Sequence, residues 1–435
     1  MKWLAALAVA LAAAAAHANG RPPLTNGLFF KPGDTHSLYV RTTFGLLISH
    51  DDGCTMNWIC EQDVGYGGNY DPKYAIAADG TIFATTPTQG LRISRDDGCS
   101  FTSVANVPAD AWTDGLDIGP TGEVWVTTAS TGAPNDVYAS TDNGATFMPR
   151  GMLSPTIWWK TVKVARSNPM RIYVGGYEVA GVLPDGGMSP LAHLAHSDDD
   201  GAHWTPSPLT GVMYGATPTL IVNAVDPANP DIVYVTSLQA NPPMGDILYR
   251  SSDAGQTLTQ VLATTDPIRD VVVRDAQTVI VATQLGGSFV STSAGTAFSP
   301  MNSPPQLACL AQRSDGALLG CGANWQPDYM AVALSGDGGT SWTKVWRFVE
   351  LYGPQSCPAG TMEHDTCAVQ LWPNLLSQFG ATGPACGAMQ GQVYGAQPTD
   401  PPPPKKKAGC CDSGAGGGSM LWGALVALLW RRKRN

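Results

Sequence analysis

Seven times along the chain, a stretch in which apolar and polar residues alternate runs into a Gly, Pro or Asp turn and back again. The stretches are LFFKPGDTHSLYVRTT (Leu28 to Thr43), YAIAADGTIFATT (Tyr74 to Thr86), LDIGPTGEVWVTT (Leu116 to Thr128) and VKVARSNPMRIYVGGY (Val162 to Tyr177), followed by IVNAVDPANPDIVYVTS (Ile221 to Ser237), VVVRDAQTVIVAT (Val271 to Thr283) and LACLAQRSDGALLGCGA (Leu307 to Ala323). Alternation of period two places one face of each run in a core, and the turn residues fold it into a hairpin. A third strand follows each hairpin, such as GLRIS (Gly90 to Ser94) or DVYAS (Asp136 to Ser140), and a fourth leaves the turn beyond it.

That turn is itself a repeat, Ser-x-Asp-x-Gly-x-x-aromatic. It is complete at Ser94 to Phe101, Ser140 to Phe147, Ser197 to Trp204 and Ser335 to Trp342. Ser49 to Met56 and Ser251 to Leu258 keep the polar triplet without the aromatic, and Ser291 to Phe298 has Ser293 where the aspartate should be. Successive starts lie 45, 46, 57, 54, 40 and 44 residues apart, which is the spacing of propeller blades. Hairpins and turns both count seven, so the predicted fold is all-β: a seven-bladed β-propeller of four-stranded antiparallel blades. The carboxylates of Asp51, Asp96, Asp142, Asp199, Asp253 and Asp337 are expected to accept backbone N–H bonds within their own turns, with glycine at positive φ and the aromatic plugging the hairpin base. The phrase resembles the Asp-box, or BNR repeat, and the resemblance implies a structural role for these aspartates.

Both chain ends carry expectations of their own. Residues 1–18 read as a signal peptide: Lys2, the apolar run Trp3 to Ala16, and a cleavage site at Ala16-His17-Ala18. The propeller is then assigned to 19–395, with a cysteine-containing closing segment at 350–395, and a Pro/Lys-rich linker covers 396–409. Residues 410–435 hold Cys410-Cys411, a Gly-rich run, the apolar Met420 to Trp430 as a short transmembrane helix, and a basic end. This order resembles the MYXO-CTERM sorting signal of myxobacterial surface proteins. The resemblance implies cleavage by a sorting protease, lipid attachment at Cys410 or Cys411, membrane contact at the C-terminus, and display at the cell surface.

Composition fits an exported β protein: 49 Gly, 34 Pro and only 14% charged residues. Between Asn19 and Thr399 there are 17 Lys plus Arg against 33 Asp plus Glu. An acidic domain repels phosphate backbones, which argues against nucleic acid as a partner. Ten cysteines in an exported chain point to disulfides. Cys309 and Cys321 lie symmetrically about Ser314-Asp315-Gly316, so a hairpin would set them opposite one another. Cys54–Cys60 and Cys357–Cys367 are the expected local pairs, leaving Cys99 and Cys386.

Function is sought on the loops that join blades. The face opposite the Ser-x-Asp-x-Gly turns gathers aromatics over blades one to four: Tyr66 and Tyr70, then Trp112, then Trp158 and Trp159, then Tyr214. Beside them stand Asp110, Asp114, Glu178 and Asp185, the candidates for a catalytic carboxylate pair. Rings beside carboxylates suit sugars, whose apolar faces stack while their hydroxyls hydrogen-bond. A sialidase would need an Arg-Ile-Pro motif and an arginine cluster. The chain reads Phe29-Phe30-Lys31-Pro32 at that place, which disfavours that activity. His193, His196 and His203 do not share a strand face, so no metal is expected there, and no cofactor motif occurs. The chain resembles secreted Asp-box proteins over Gly27 to Glu350, a group that includes sialidases, sortilin-type receptors, xyloglucan hydrolases and photosystem-assembly-factor-like propellers. The first reading is a non-enzymatic, surface-displayed binding or adhesion propeller for an extracellular glycan or protein. A glycoside hydrolase on the same face is the alternative, and a structural envelope protein the third.

Overall fold

A computed structural model describes residues 21–182, 188–214, 218–238, 245–283, 287–301 and 305–384. The expected leader, linker and C-terminal sorting segment lie outside them, as do Asp185, Cys386, Cys410 and Cys411. Among the described residues no helix is long and apolar enough to cross a membrane, and Met420 to Trp430 lies outside that range.

The chain folds as a seven-bladed β-propeller. Blades two to seven are four-stranded antiparallel sheets whose strands neighbour one another in chain order. The first strand of each blade is Thr25–Phe29, Tyr74–Ile76, Thr113–Ile118, Ile157–Val164, Leu220–Val225, Ile268–Val273 and Cys309–Gln312. Each of these touches the first strand of the next blade, and the seventh touches the first, so they form the inner ring. Cores lie between blades. Ala77 and Phe83 of blade two pack with Leu116, Val124 and Val126 of blade three, while Trp125 turns the other way to meet Trp159 and Val162 of blade four.

The Ser-x-Asp-x-Gly turns join third to fourth strands and share one hydrogen-bond pattern. In blade three, Ser140 Oγ donates to Asp142 Oδ1 at 2.7 Å and accepts from Gly144 N at 2.8 Å, while Thr146 N donates to Asp142 Oδ1 at 2.9 Å. The Thr146 hydroxyl, the Thr146 N–H and the Ser140 hydroxyl hold the Asp142 carboxyl down at about 2. Gly144 has φ 78°, and a Cβ there would lie 2.4 Å from the Phe83 ring of the preceding blade. Glycine is required both by the left-handed backbone and by blade packing. Phe147 is fully buried between the same two blades.

Blade six departs from this pattern. Ser293 Oγ lies 3.3 Å from Ser291 Oγ and reaches Ala297 O at 3.5 Å, so the turn lacks a carboxylate acceptor. Ser293→Asp is expected to supply the bonds its six counterparts make and to stabilise the protein by about 1 kcal/mol, read by denaturant unfolding. An unchanged midpoint would mean that the turn is already satisfied.

Closure of the ring involves both ends. Thr25 Oγ1 donates to Ala331 O at 2.7 Å, and Leu28, Leu38 and Val40 share a core with Leu319, Val332 and Trp346 of blade seven. Blade one has a fifth strand. After blade seven, Leu351–Pro354 runs parallel to the outer strand Met56–Ile59. Two short helical segments follow, Glu363–Leu371 and Trp372–Phe379.

Disulfides fasten this segment and correct two expected pairings. Cys60 bonds Cys367 and Cys99 bonds Cys357, while Cys309 bonds Cys321 across its hairpin. Cys54 and Cys60 flank the extended strand Met56–Ile59, whose four residues alone span roughly 13 Å, well beyond disulfide reach. Cys357 and Cys367 separate because the segment lies along blades one and two and offers each cysteine to a different blade. Cys54 is also disulfide-bonded, to a partner outside the described residues.

Candidate functional site

Irregularities in the inner ring place the site. The first strand of blade three shifts register between the pairs Val126–Leu116 and Thr128–Thr113, so that Asp114 and Gly115 stand where one residue would pair. In blade four the shift falls between Trp159 and Thr161 and leaves Lys160 as the extra residue. Bulges re-aim side chains that regular pleating would point elsewhere. Lys73 completes the group from the residue before the first strand of blade two.

These three residues form a clamp. Lys73 Nζ lies 3.2 Å from Asp114 Oδ1 and donates to Lys160 O at 3.1 Å, while Lys160 Nζ pairs closely with Asp114 Oδ2. Burial pushes the Asp114 carboxyl up, but the two ammonium groups outweigh it and hold the group below its ordinary value. Lys73 is shifted down, chiefly by burial, with Asp114 opposing and Lys160 adding to the fall.

Aromatic rings surround the clamp. Tyr66, Tyr70 and Trp112 make a chain, with centroids 6.3 Å and 5.6 Å apart, and Lys160 Nζ sits 5.4 Å from the Trp112 ring centre. Tyr70 donates to Thr113 O at 2.7 Å, which fixes its ring, and Trp112 is 40% exposed. Tyr66 forms one wall of a cavity of about 440 Å³ on the same loop face, lined also by Gln62, Gly65, Pro87, Thr88 and Gln89. Trp158 packs edge-on to Tyr177 at 5.1 Å. Burial first, and then the Asp114 charge, raise the Tyr177 hydroxyl, which brings this second pair within the electrostatic reach of the clamp.

A separate polar group lies on blade four. Thr156 Oγ1 donates to Glu178 Oε1 at 2.5 Å, and His193 Nε2 is 3.1 Å from Glu178 Oε2. His196 instead faces Asp198, and His203 pairs with Asp199, so the three imidazoles have three different carboxylate partners. Among the described residues, the atoms close enough to share a metal are Cys60 Sγ, Cys367 Sγ and a Glu363 oxygen. The two sulfurs there are joined in a disulfide and offer no thiolate.

The structure thus brings Asp114, Tyr66, Tyr70 and Trp112 together, with Trp158 alongside. Asp110 is exposed and outside the clamp. Trp159 is a core residue, 3% exposed, with its indole N–H bonded to Met152 O. Tyr214 packs onto the core cluster that holds Tyr249, away from the other rings. Sequence reasoning passed over Lys73, Tyr177 and the link between Glu178 and His193. Lys73 and Lys160 do leave a signal, a cation entering the first strand of two blades that flank Asp114.

No family model matches the chain, and no curated protein matches it. Among solved structures it is similar to an ancestral GH74 enzyme, with TM-score 0.51 and 13% identity over 75% of this chain and 45% of that one. It is similar also to the GH74 enzyme of Niastella koreensis, with TM-score 0.42 and 16% identity over 73% of this chain and 65% of that one. A third is YCF48 from Cyanidioschyzon merolae, with TM-score 0.46 and 13% identity over 72% and 96%. This chain therefore spans less than two thirds of the length of either GH74 enzyme. At these identities the likeness shows the propeller fold, and chemistry has to be argued from the site.

Proposed function

We propose that the chain is a non-enzymatic binding propeller, displayed outside the cell, that engages an extracellular glycan through the loop face of blades one to four. The observation that carries this reading is a half-exposed indole, Trp112, braced by Tyr70 and Lys160, with polar groups around it. That is a stacking platform for a sugar ring. Asp114, the candidate carboxylate nearest the rings, is held through both oxygens by Lys73 and Lys160, which takes it out of the role of a proton-holding general acid.

The disulfides support maturation in an oxidising compartment. We propose also that the Ser-x-Asp-x-Gly turns are Asp-box repeats and that residues 410–435 act as a sorting signal that holds the protein at the cell surface.

The test is a panel of extracellular polysaccharides, scored for both binding and released reducing ends. Binding without release is expected, with affinity falling about tenfold or more in Trp112→Ala and less in Trp158→Ala. Release of sugar that Glu178→Gln or Asp114→Asn abolishes would replace this reading with the glycoside hydrolase.

A further inference from the structure

Resting on that reading, we infer that the glycan bound beside Trp112 is an acidic one, whose carboxylate or sulfate is seated by Lys160 and Lys73.

The charge balance of the clamp carries this inference. Lys73 and Lys160 share one carboxylate, Asp114, and both of its oxygens are already used, one by each lysine. One anion between two cations leaves a local positive excess, in a domain that carries 33 acidic residues against 17 basic ones between Asn19 and Thr399. Such an excess is costly in partly buried surroundings unless a ligand anion completes it.

Geometry gives that anion a place. Each ammonium has three N–H donors. Lys73 directs two of them at Asp114 and the Lys160 carbonyl, and Lys160 directs one at Asp114. Lys160 Nζ also lies over the Trp112 ring, and that ring is 40% exposed. A pyranose packed on that indole would bring an equatorial carboxylate or a sulfate ester to the Lys160 ammonium. A neutral sugar makes the same stacking contact and offers no anion to the remaining Lys160 N–H donors. The site therefore selects by charge, and it does so locally, because the acidic domain repels polyanions at longer range.

The experiment measures binding of the intact protein to three oligosaccharide probes: oligogalacturonate for carboxylate, a sulfated galactan oligomer for sulfate, and a neutral xyloglucan oligomer. Acidic probes are expected to bind at least tenfold tighter than the neutral one. Lys160→Met should weaken acidic binding at least tenfold more than neutral binding and so erase that preference, and Lys160→Arg should keep most of it. A salt series on the unaltered protein gives a readout independent of any variant's folding. From 50 to 500 mM NaCl, acidic binding should weaken while neutral binding holds. Binding by only one of the acidic probes identifies which acid group the seat takes. Equal or tighter neutral binding, or an acidic preference indifferent to both salt and Lys160→Met, overturns the inference and leaves the glycan reading intact. If none of the probes or the wider polysaccharide panel binds, both fall together.

Discussion

Replacing Cys60 and Cys367 together by serine is expected to lower the free energy of unfolding by about 4 kcal/mol. The bond joins residues 307 apart in sequence, yet the loop it closes is far shorter, because Cys99–Cys357 already ties the same regions. From Cys60 to Cys99, across that bond, and on from Cys357 to Cys367 is a circuit of roughly 50 residues, and loop-closure entropy for that length gives the figure. Urea unfolding with matched slopes is the measurement. Hydrogen exchange should localise the change, with Met56–Ile59 and Leu351–Pro354 losing protection before the inner strands do. A loss below about 1 kcal/mol would mean that closure rests on apolar packing. The candidate packing is the Phe44, Phe348 and Phe379 cluster, whose ring centroids lie about 5 Å apart.

Blade number was legible in the chain because each blade is a local object. A hairpin, a third strand and a self-bonded turn fit within about 45 residues, and both the alternation and the Ser-x-Asp-x-Gly phrase register it. The closing segment could be placed at 350–395, but how it closes the ring was not legible, since it depends on a short strand at Leu351–Pro354 whose partner lies about 300 residues earlier. Local proximity was the available guide for Cys54–Cys60 and Cys357–Cys367, and a chain that returns to its first blade defeats it. The site divides in the same way. Trp112 and Asp114 could be read from one loop, but the neutralisation of Asp114 needs cations from the blades on either side. It also needs bulges that strict alternation does not announce. Burial separates Trp158 from Trp159, because adjacent residues on a strand face opposite sides and one of the two enters the core.

The closing segment also carries an acid that should make stability depend on pH. Glu363 is fully buried, accepts from Cys60 N at 3.2 Å through Oε2, and has no partner for Oε1. Burial pushes its carboxyl up to about 8, and the charge of Asp63 adds to the rise while the Cys60 N–H opposes it. Asp63 is itself raised to about 7, first by burial and then by Asp96, against the pull of Arg92. A carboxyl whose folded value exceeds its unfolded value favours the fold while protonated. Its contribution is therefore complete below the ordinary glutamate value of 4.5, declines as pH rises, and is gone above about 8. The turn aspartates act in the opposite sense but in a lower window, since Asp142, Asp199 and Asp337 are held at about 2. Between pH 5 and 8 the trend set by Glu363 and Asp63 is thus unopposed by those turns, and stability should fall. Glu363→Gln keeps an acceptor for the Cys60 N–H and removes the ionisation. At pH 8.5 the variant should be more stable than the parent by about 4 to 5 kcal/mol, and at pH 4 the two should coincide within about 1 kcal/mol. Denaturant unfolding from pH 4 to 9 tests both ends of the curve. Parallel profiles for the two proteins would mean that the folded chain hydrates or neutralises Glu363 by another route, and the buried acid would then contribute nothing to the pH response of the ring.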